Sequence, residues 1–176
     1  MNEWQIADIT PAHYADILTI NRDNVEMLSP LDEQGLQDLL EMAALARAVL
    51  INGRAAAFMI ALREAEAYQS VNYRWFCERL PRFLYIDRIA VAHDDRGQGL
   101  ASRLYAEAEA WARSNGINVL AAEINVEPEN RPSLLFHQRR GFAEVGRQTI
   151  DNGKKTVSMQ TRLLQCSENC MTVSDR

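Results

Sequence analysis

A short run of arginine, glycine and glutamine separates an apolar segment from an amphipathic one. The run is Arg96-Gly97-Gln98-Gly99-Leu100-Ala101. It follows the strand-like segment Phe83–Ala92 and leads into a segment with helical spacing that ends near Ser114. The first N–H groups of a helix have no intrahelical acceptor, and the helix dipole adds partial positive charge there. Glycines let the main chain approach a phosphate closely. This strand–turn–helix order predicts an anion site suited to a pyrophosphate.

A carboxylate in the preceding apolar segment is a candidate for proton transfer. Because side chains alternate along a strand, we expect one face of this segment to carry Tyr85, Asp87, Ile89 and Val91. Burial in such a run would raise the pKa of Asp87, which suits a general base. An ion pair between Asp87 and Arg88 or Arg82 is the structural alternative.

The next strong strand, Ile117–Val126, supplies second candidates for the base. Glu123 and Asn125 flank Ile124, so the two polar side chains share one face. The segment between the two strands reads as a helix, so the strands should be parallel neighbours. Glu123 and Asn125 can then reach the same cleft as Asp87.

The elements that must position these residues follow from periodicity, caps and turns. Strands are expected at 4–8, 48–51, 54–62, 83–92, 117–126, 142–147 and 156–163. Helices are expected after Thr10-Pro11, from about Asp32 to Ala46, up to Ser114, and from Ser133 to Arg140. Asn52-Gly53 and Asp151-Asn152-Gly153 read as hairpin turns. The pattern is that of an α/β domain, which we expect to cover residues 1–164, followed by a flexible tail at 165–176.

The segment Arg63–Pro81 shows no clear period but contains several aromatic side chains. A loop of this length in a compact domain is usually functional or mobile. We interpret it as one wall of a substrate pocket, with Tyr73 and Trp75, together with Tyr85, as substrate contacts. Packing on the core or on a neighbouring subunit is the alternative.

Composition excludes several classes of protein. The chain has 176 residues and a net charge of −5, which argues against a nucleic-acid partner. No apolar run is long enough for a membrane span, and the start lacks the pattern of a secretory signal. The cysteines, Cys77, Cys166 and Cys170, fit no zinc or redox spacing. We expect a cytoplasmic protein with free thiols and no metal.

The residues around the glycine turn resemble the signature of the GNAT superfamily of N-acetyltransferases. The signature run, Arg96 to Ala101, directly follows the strand end Ile89-Ala90-Val91. Downstream, Asn130 and the block Phe136-His137-Gln138-Arg139-Arg140-Gly141-Phe142 match the second half of the family pattern. The resemblance extends from Trp4 to about Leu163. It implies a mixed, mostly antiparallel sheet whose central parallel strands splay around the cofactor, flanked by about four helices.

The resemblance also implies a role for each matched residue. Acetyl-CoA would be the co-substrate, with its pyrophosphate on the amides of Arg96 to Ala101. Its pantetheine arm would lie along Ile89 to Val91, with Asn130 and Phe136 on the far side. The Val91 N–H would stabilise the oxyanion. His137 stands where the family often has a tyrosine that protonates the thiolate, so it is either the acid or a packed helix residue.

Together these residues predict an N-acetyltransferase in which a primary amine attacks the thioester directly in a ternary complex. A small molecule, an amino acid and a peptide N-terminus all remain open as acceptors, and a homodimer is common in the family. A sensor that binds CoA or acyl-CoA without turnover is the alternative function. A dinucleotide fingerprint would need glycine where Ser102 stands, and the lysine of an NTPase phosphate loop is missing.

Overall fold

The computed structural model describes residues 4–165 and contains a seven-stranded sheet with helices on both faces. The strands are β1 (Trp4–Asp8), β2 (Leu45–Ile51), β3 (Arg54–Arg63), β4 (Leu84–Val91), β5 (Val119–Glu127), β6 (Ala143–Ile150) and β7 (Lys155–Leu163). The helices are α1 (Tyr14–Asp23), α2 (Glu33–Met42), α3 (Val71–Cys77), α4 (Leu100–Ser114) and α5 (Arg131–Arg139). Short 3-10 turns precede α1 and α4 and join β6 to β7.

The sheet is mixed, with the strand order β1-β2-β3-β4-β5-β7-β6. Every neighbouring pair is antiparallel except β4 and β5. These two parallel strands share only the register pairs Leu84↔Leu120 and Tyr85↔Ala121, after which they separate. The fold class expected from the sequence is therefore confirmed, including a central parallel pair that opens into a gap.

Two apolar cores hold the helices to the sheet. On one face α4 contributes Leu104, Ala108 and Ala112 to a cluster that includes Met59 of β3 and Leu120 of β5. On the other face α1, α2 and α3 pack with Phe58 and Tyr85 through the buried side chains Ile17, Ile20, Leu36, Leu39, Tyr73 and Phe76. The central strands are thus covered on both sides by apolar packing.

A β-bulge in β4 overturns the expected alternation along that strand. Ile60 of β3 pairs with Arg88 and the next residue, Ala61, pairs with Ile86, so Asp87 is an extra residue. An extra residue reverses the faces that follow it. Tyr85 accordingly belongs to the core under α1–α3, whereas Ile89 and Val91 contact the core under α4. The expectation that Tyr85, Asp87, Ile89 and Val91 share one face is wrong.

The segment predicted to be aperiodic contains a helix, α3, in addition to the four that the sequence predicted. Its N-cap is Ser70, whose hydroxyl accepts a hydrogen bond from the Tyr73 amide at 3.3 Å. Aromatic residues fill the helix and hide its period, which is why pattern alone missed it. The second helix is also shorter than expected, because Ala43 is extended and β2 begins at Leu45.

Some expectations fall outside the described residues. The tail from residue 166 onward, with Cys166 and Cys170, lies beyond them. Within residues 4–165, none of the helices has the length and apolar content needed to cross a bilayer.

Candidate active site

The gap between β4 and β5 opens into a cavity of about 1320 Å³. Its walls come from the α1–α2 segment at 22–29, residues 68–72 before and within α3, and residues 86–91 of β4. Residues 122–125 of β5, the start of α5 and the ends of β6 and β7 complete it. Arg96 and Ala101 of the glycine turn also line this cavity, together with Asn130 and Phe136 of the downstream block.

The glycine turn forms a nest of main-chain amides at the start of α4. Gly97 and Gly99 have φ values of +77° and +76°, and Gly99 is the N-cap of α4. A Cβ built on either glycine meets no atom within 4 Å, so both face open space. Among the described residues, no acceptor receives the amides of residues 99–102. Four free donors at a helix N-terminus make an anion site from backbone alone.

The edge of β4 that faces the gap presents unpaired main-chain groups. The Ala92 N–H donates to the Ala56 carbonyl of β3 at 2.8 Å. Successive amides of a strand point to opposite edges, so the N–H of Val91, and with it that of Ile89, is directed into the gap. An extended ligand can pair with this edge like an added strand.

The far wall of the cavity is the start of α5. The Asn130 side chain caps this helix by accepting a hydrogen bond from the Ser133 amide at 3.3 Å. Phe136 lies over Tyr105 of α4 with ring centroids 5.6 Å apart. The cap carboxamide is therefore committed to the helix, and Phe136 and Tyr105 provide an apolar surface opposite β4.

His137 is buried inside this aromatic cluster. Its Nδ1 donates to the Ser133 carbonyl at 2.8 Å, so Nε2 is the acceptor for the Tyr105 hydroxyl at 2.6 Å. Burial lowers the pKa of His137 and favours the neutral ring. A ring with both nitrogens used in this way has no proton on Nε2 to give away, so the geometry favours the packed, structural interpretation.

Asp87 and Arg88 form the first charged pair beside the gap. Asp87 Oδ2 lies 3.3 Å from Arg88 Nε, and the two side chains are 5% and 8% exposed. Burial raises the pKa of Asp87, while the charge of Arg88 opposes the rise. Arg88 also donates through Nη1 to the Asn21 side chain and the Ser29 carbonyl, both at 2.7 Å. The ion pair considered as the alternative for Asp87 is present. The hydrogen bonds of Arg88 connect the α1–α2 segment to β4.

Glu123 is the second carboxylate of the site and has no cation partner among the described residues. Asn72 Nδ2 donates to its Oε1 at 3.2 Å, whereas Oε2 is buried without a hydrogen-bond partner. Burial and the nearby charge of Asp87 raise the pKa of Glu123 to about 7. This carboxyl group is therefore ready to exchange a proton near neutral pH.

Asn125, the other candidate on β5, is buried at the cavity wall. Its Nδ2 donates to Met27 Sδ of the α1–α2 segment at 3.7 Å. An amide does not accept a proton in this pH range. Asn125 therefore serves the wall rather than the proton transfer, as a contact between β5 and the segment above it.

The three aromatic residues expected to contact the substrate do not line the cavity. Tyr73 is buried, and its hydroxyl donates to the Arg63 carbonyl at 2.6 Å. Trp75 packs on Gly146 of β6, and Tyr85 is buried below Glu123 with its hydroxyl unpartnered. The wall is instead built from residues just before them along the chain, Tyr68 to Asn72.

Sequence reasoning missed several residues of the site. Tyr68 lies beside Asp87, and burial together with that carboxylate raises the pKa of its phenol. Asn72, Tyr105 and Gln148 also line the cavity. Tyr105 stands four residues after Ala101, one helical turn along α4, and that spacing was a usable signal. Nothing in the local pattern distinguishes Asn72 or Gln148.

Comparison with known proteins identifies the family to which this fold and cavity belong. Residues 16–142 match the model of the Acetyltransferase (GNAT) family, which is most of the chain. The chain belongs to this family. The resemblance carried by residues 96–101 and 130–142 is thereby confirmed.

Individual relatives show what this chain is similar to. An aminoglycoside N(6')-acetyltransferase type 1 of Serratia marcescens is 33% identical over 100 residues, which cover 57% of this chain and 64% of that protein. The chain thus spans a little under two thirds of that relative. The structure of Arabidopsis thaliana NAA60 with a bisubstrate analogue aligns with a TM-score of 0.74 and 15% identity, covering 94% of this chain and all of the other.

A second solved structure contains a bisubstrate analogue that includes CoA. Arabidopsis thaliana Naa50 in complex with the bisubstrate analogue CoA-Ac-MVNAL aligns with a TM-score of 0.67 and 12% identity. It covers 90% of this chain and 97% of the other. At such identities the likeness is one of fold.

Proposed function

We propose that this protein transfers the acetyl group of acetyl-CoA to a primary amine, with both substrates bound together. The observation that carries the proposal is the meeting of three features in one cavity. These are the amide nest at residues 99–102, of which Ala101 lines the cavity, the unpaired edge of β4 and the carboxylate of Glu123. Bound acetyl-CoA supplies an activated acyl group and a thiol leaving group. Holding the amine against it accounts for much of the acceleration.

The residues present fit such a co-substrate. The amides that begin α4 donate to phosphate oxygens, and the glycines at 97 and 99 leave the room that a Cβ would fill. Ile89 and Val91 offer main-chain groups to an extended arm lying in the gap. The Val91 N–H stabilises negative charge that develops on the thioester oxygen, an interaction worth roughly 3 kcal/mol in comparable sites.

Glu123 is our choice for the general base. An amine arrives as ammonium and must lose a proton before it attacks. Glu123 lines the cavity, and its pKa of about 7 matches the task. Asp87 is held by Arg88 and contributes mainly by raising the pKa of Glu123. Because His137 has no proton to donate on Nε2, the proton for the thiolate must come from water or from another side chain.

Release of free thiol from acetyl-CoA tests the proposal. With a suitable amine, Glu123→Gln should lower kcat/KM by about a hundredfold or more, the usual contribution of a general base. Asn118→Ala, at an exposed position away from the cavity, is the control and should change nothing. Tight binding of CoA without amine-dependent thiol release, across a broad panel, would instead support a sensor.

The acceptor we favour is a small molecule with more than one amino group. Two exposed carboxylates line the cavity: Asp23 pairs with Arg22 at 3.7 Å, whereas Glu26 has no cation partner in residues 4–165. The relative from Serratia marcescens, named as an aminoglycoside acetyltransferase, supports the same class of acceptor. An aminoglycoside, spermidine and a peptide with a free N-terminus should be compared. Equal kcat/KM for the peptide would contradict this choice.

A further inference from the structure

A buried amide on α3 joins the carboxylate of Glu123 to the edge strand β6. Asn72 is 7% exposed and has a hydrogen bond at each end of its carboxamide. Its Nδ2 donates to Glu123 Oε1 at 3.2 Å, and its Oδ1 accepts from Gln148 Nε2 at 2.7 Å. The three side chains come from α3, β5 and β6, so the link spans elements that are distant in sequence.

The Glu123 carboxylate, which only accepts when ionised, and the bond from Gln148 agree on which end of the Asn72 carboxamide faces Glu123. A carboxamide has one acceptor and one donor end. With Oδ1 occupied by Gln148 Nε2, the Nδ2 end is the one left to meet the carboxylate. The opposite orientation would place an oxygen against the Glu123 carboxylate. The link therefore gives Glu123 Oε1 a donor.

The position of Asn72 is held by the rest of α3. Trp75, three residues later and so on the same helix face, packs against Gly146 of β6. The Tyr73 hydroxyl also ties the helix to β3 by donating to the Arg63 carbonyl at 2.6 Å. Gly146 and Gln148 are two residues apart on β6, so α3 contacts the same side of that strand at two points.

We propose that Asn72, held by Gln148, is a positioning residue that orients the Glu123 carboxylate and sets the pH at which it accepts the proton of the amine. The proposal rests on the proposed role of Glu123 as base. A donor to the charged carboxylate favours that form, so Asn72 opposes the effects of burial and of Asp87. The other ionisable groups near Glu123 are Asp87 and Tyr85 of β4, Tyr68 before α3 and Tyr105 of α4.

A direct titration tests the inference without requiring activity. The side-chain carboxyl carbons of glutamate can be labelled with ¹³C and followed by NMR against pH, with Glu123→Gln identifying the signal. In Asn72→Ala the Glu123 midpoint should rise by about 0.5 to 1 pH unit, because a donor to the charged form is lost. Asn118→Ala removes an exposed neutral amide and should leave the midpoint in place. An unchanged midpoint in folded Asn72→Ala overturns the proposal.

A second variant separates the link from simple packing. Gln148→Leu removes the donor that orients Asn72, so it should raise the midpoint in the same direction by a smaller amount. It should add no further rise to Asn72→Ala, because Gln148 acts only through Asn72. Independent, additive shifts would show that the two side chains do not form one link and would overturn the proposal.

Kinetics distinguish failure of this inference from failure of the proposed base. In kcat/KM against pH, the acidic limb should move upward in Asn72→Ala together with the NMR midpoint. If Glu123→Gln keeps the acidic limb and the activity, the base is wrong and the role of Asn72 falls with it. If Glu123→Gln abolishes the limb but Asn72→Ala lowers the rate equally at every pH, the base stands and Asn72 is merely structural.

Discussion

The buried carboxylate of Glu123 destabilises the folded protein when it is ionised. The pKa of its carboxyl group is about 7 in the folded chain, against an ordinary value of 4.5. Between these values the folded state binds more protons than the unfolded one, so stability falls as pH rises through this window. The full loss of folding stability caused by Glu123 is reached above about pH 7, and there is no such loss below about pH 4.5.

Replacing Glu123 with glutamine should therefore stabilise the protein in alkaline buffer. We expect Glu123→Gln to raise the free energy of unfolding at pH 8 by on the order of 2 kcal/mol, and to change it little at pH 4.5. Urea denaturation at the two pH values measures the difference. A gain of equal size at both would mean that the charge of Glu123 is not its cause.

Tyr105 and His137 present a different balance, since each satisfies a buried polar atom of the other. Tyr105→Phe or His137→Phe alone leaves one partner unsatisfied and should cost about 1–2 kcal/mol. The double variant should lose less than the sum by about 1 kcal/mol, because neither polar group remains. Thermal unfolding of the four proteins gives the coupling.

The catalytic rate of the same variants tests the role of His137. Folded His137→Phe should keep kcat within a few fold, because the ring has no proton on Nε2 to donate. A loss of a hundredfold or more with the fold intact would restore His137 as the acid.

Among the elements, α3 depends on a glycine in another part of the chain. A Cβ at Gly146 would lie 2.5 Å from Trp75 Cζ2, closer than atoms in contact allow. Gly146→Ala should displace α3 from β6 and cost about 1–3 kcal/mol, the usual range for overpacking. In a Trp75→Leu background the same change should cost much less. Urea denaturation of the two pairs measures this, and equal costs in both backgrounds would exclude the contact as the cause.

The elements also show what local sequence could and could not predict. The glycine turn and the strand before it were predictable because their chemistry is local: free amides, positive φ and a helix start. The bulge at Asp87 was not, since it depends on how β3 and β4 pair. The cavity wall at residues 68–72 was not predictable either, because α3 has no apolar period. Asn72 contacts Glu123 and Gln148 only through tertiary structure.

For the whole molecule, a ligand that binds only the folded state raises its stability by mass action. At a hundred times its Kd, CoA should add about 2.7 kcal/mol, or about 5–10 °C in Tm for a chain of this length. In Gly99→Ala the increase should shrink, because strain and a new Cβ alter the nest.

Gly53 provides a matched control for that variant. It lies in the β2–β3 turn with φ +80°, and a Cβ there also meets nothing within 4 Å. Gly53→Ala therefore introduces the same backbone strain away from the nest and should retain the full CoA-dependent increase in Tm. Equal loss of the increase in both variants would show that strain alone, and not the nest, is responsible.

The brief contact between β4 and β5 has a consequence for amide hydrogen exchange. From residue 86 onward β4 is paired on one edge only, so every second amide along it has a strand acceptor. Deuterium uptake should consequently alternate along the strand, slow at Ala90 and Ala92 and fast at Ile89 and Val91. Alternating exchange rates of this kind, resolved by NMR, would show that the main chain at the centre of the sheet is left unpaired and can bind an extended ligand.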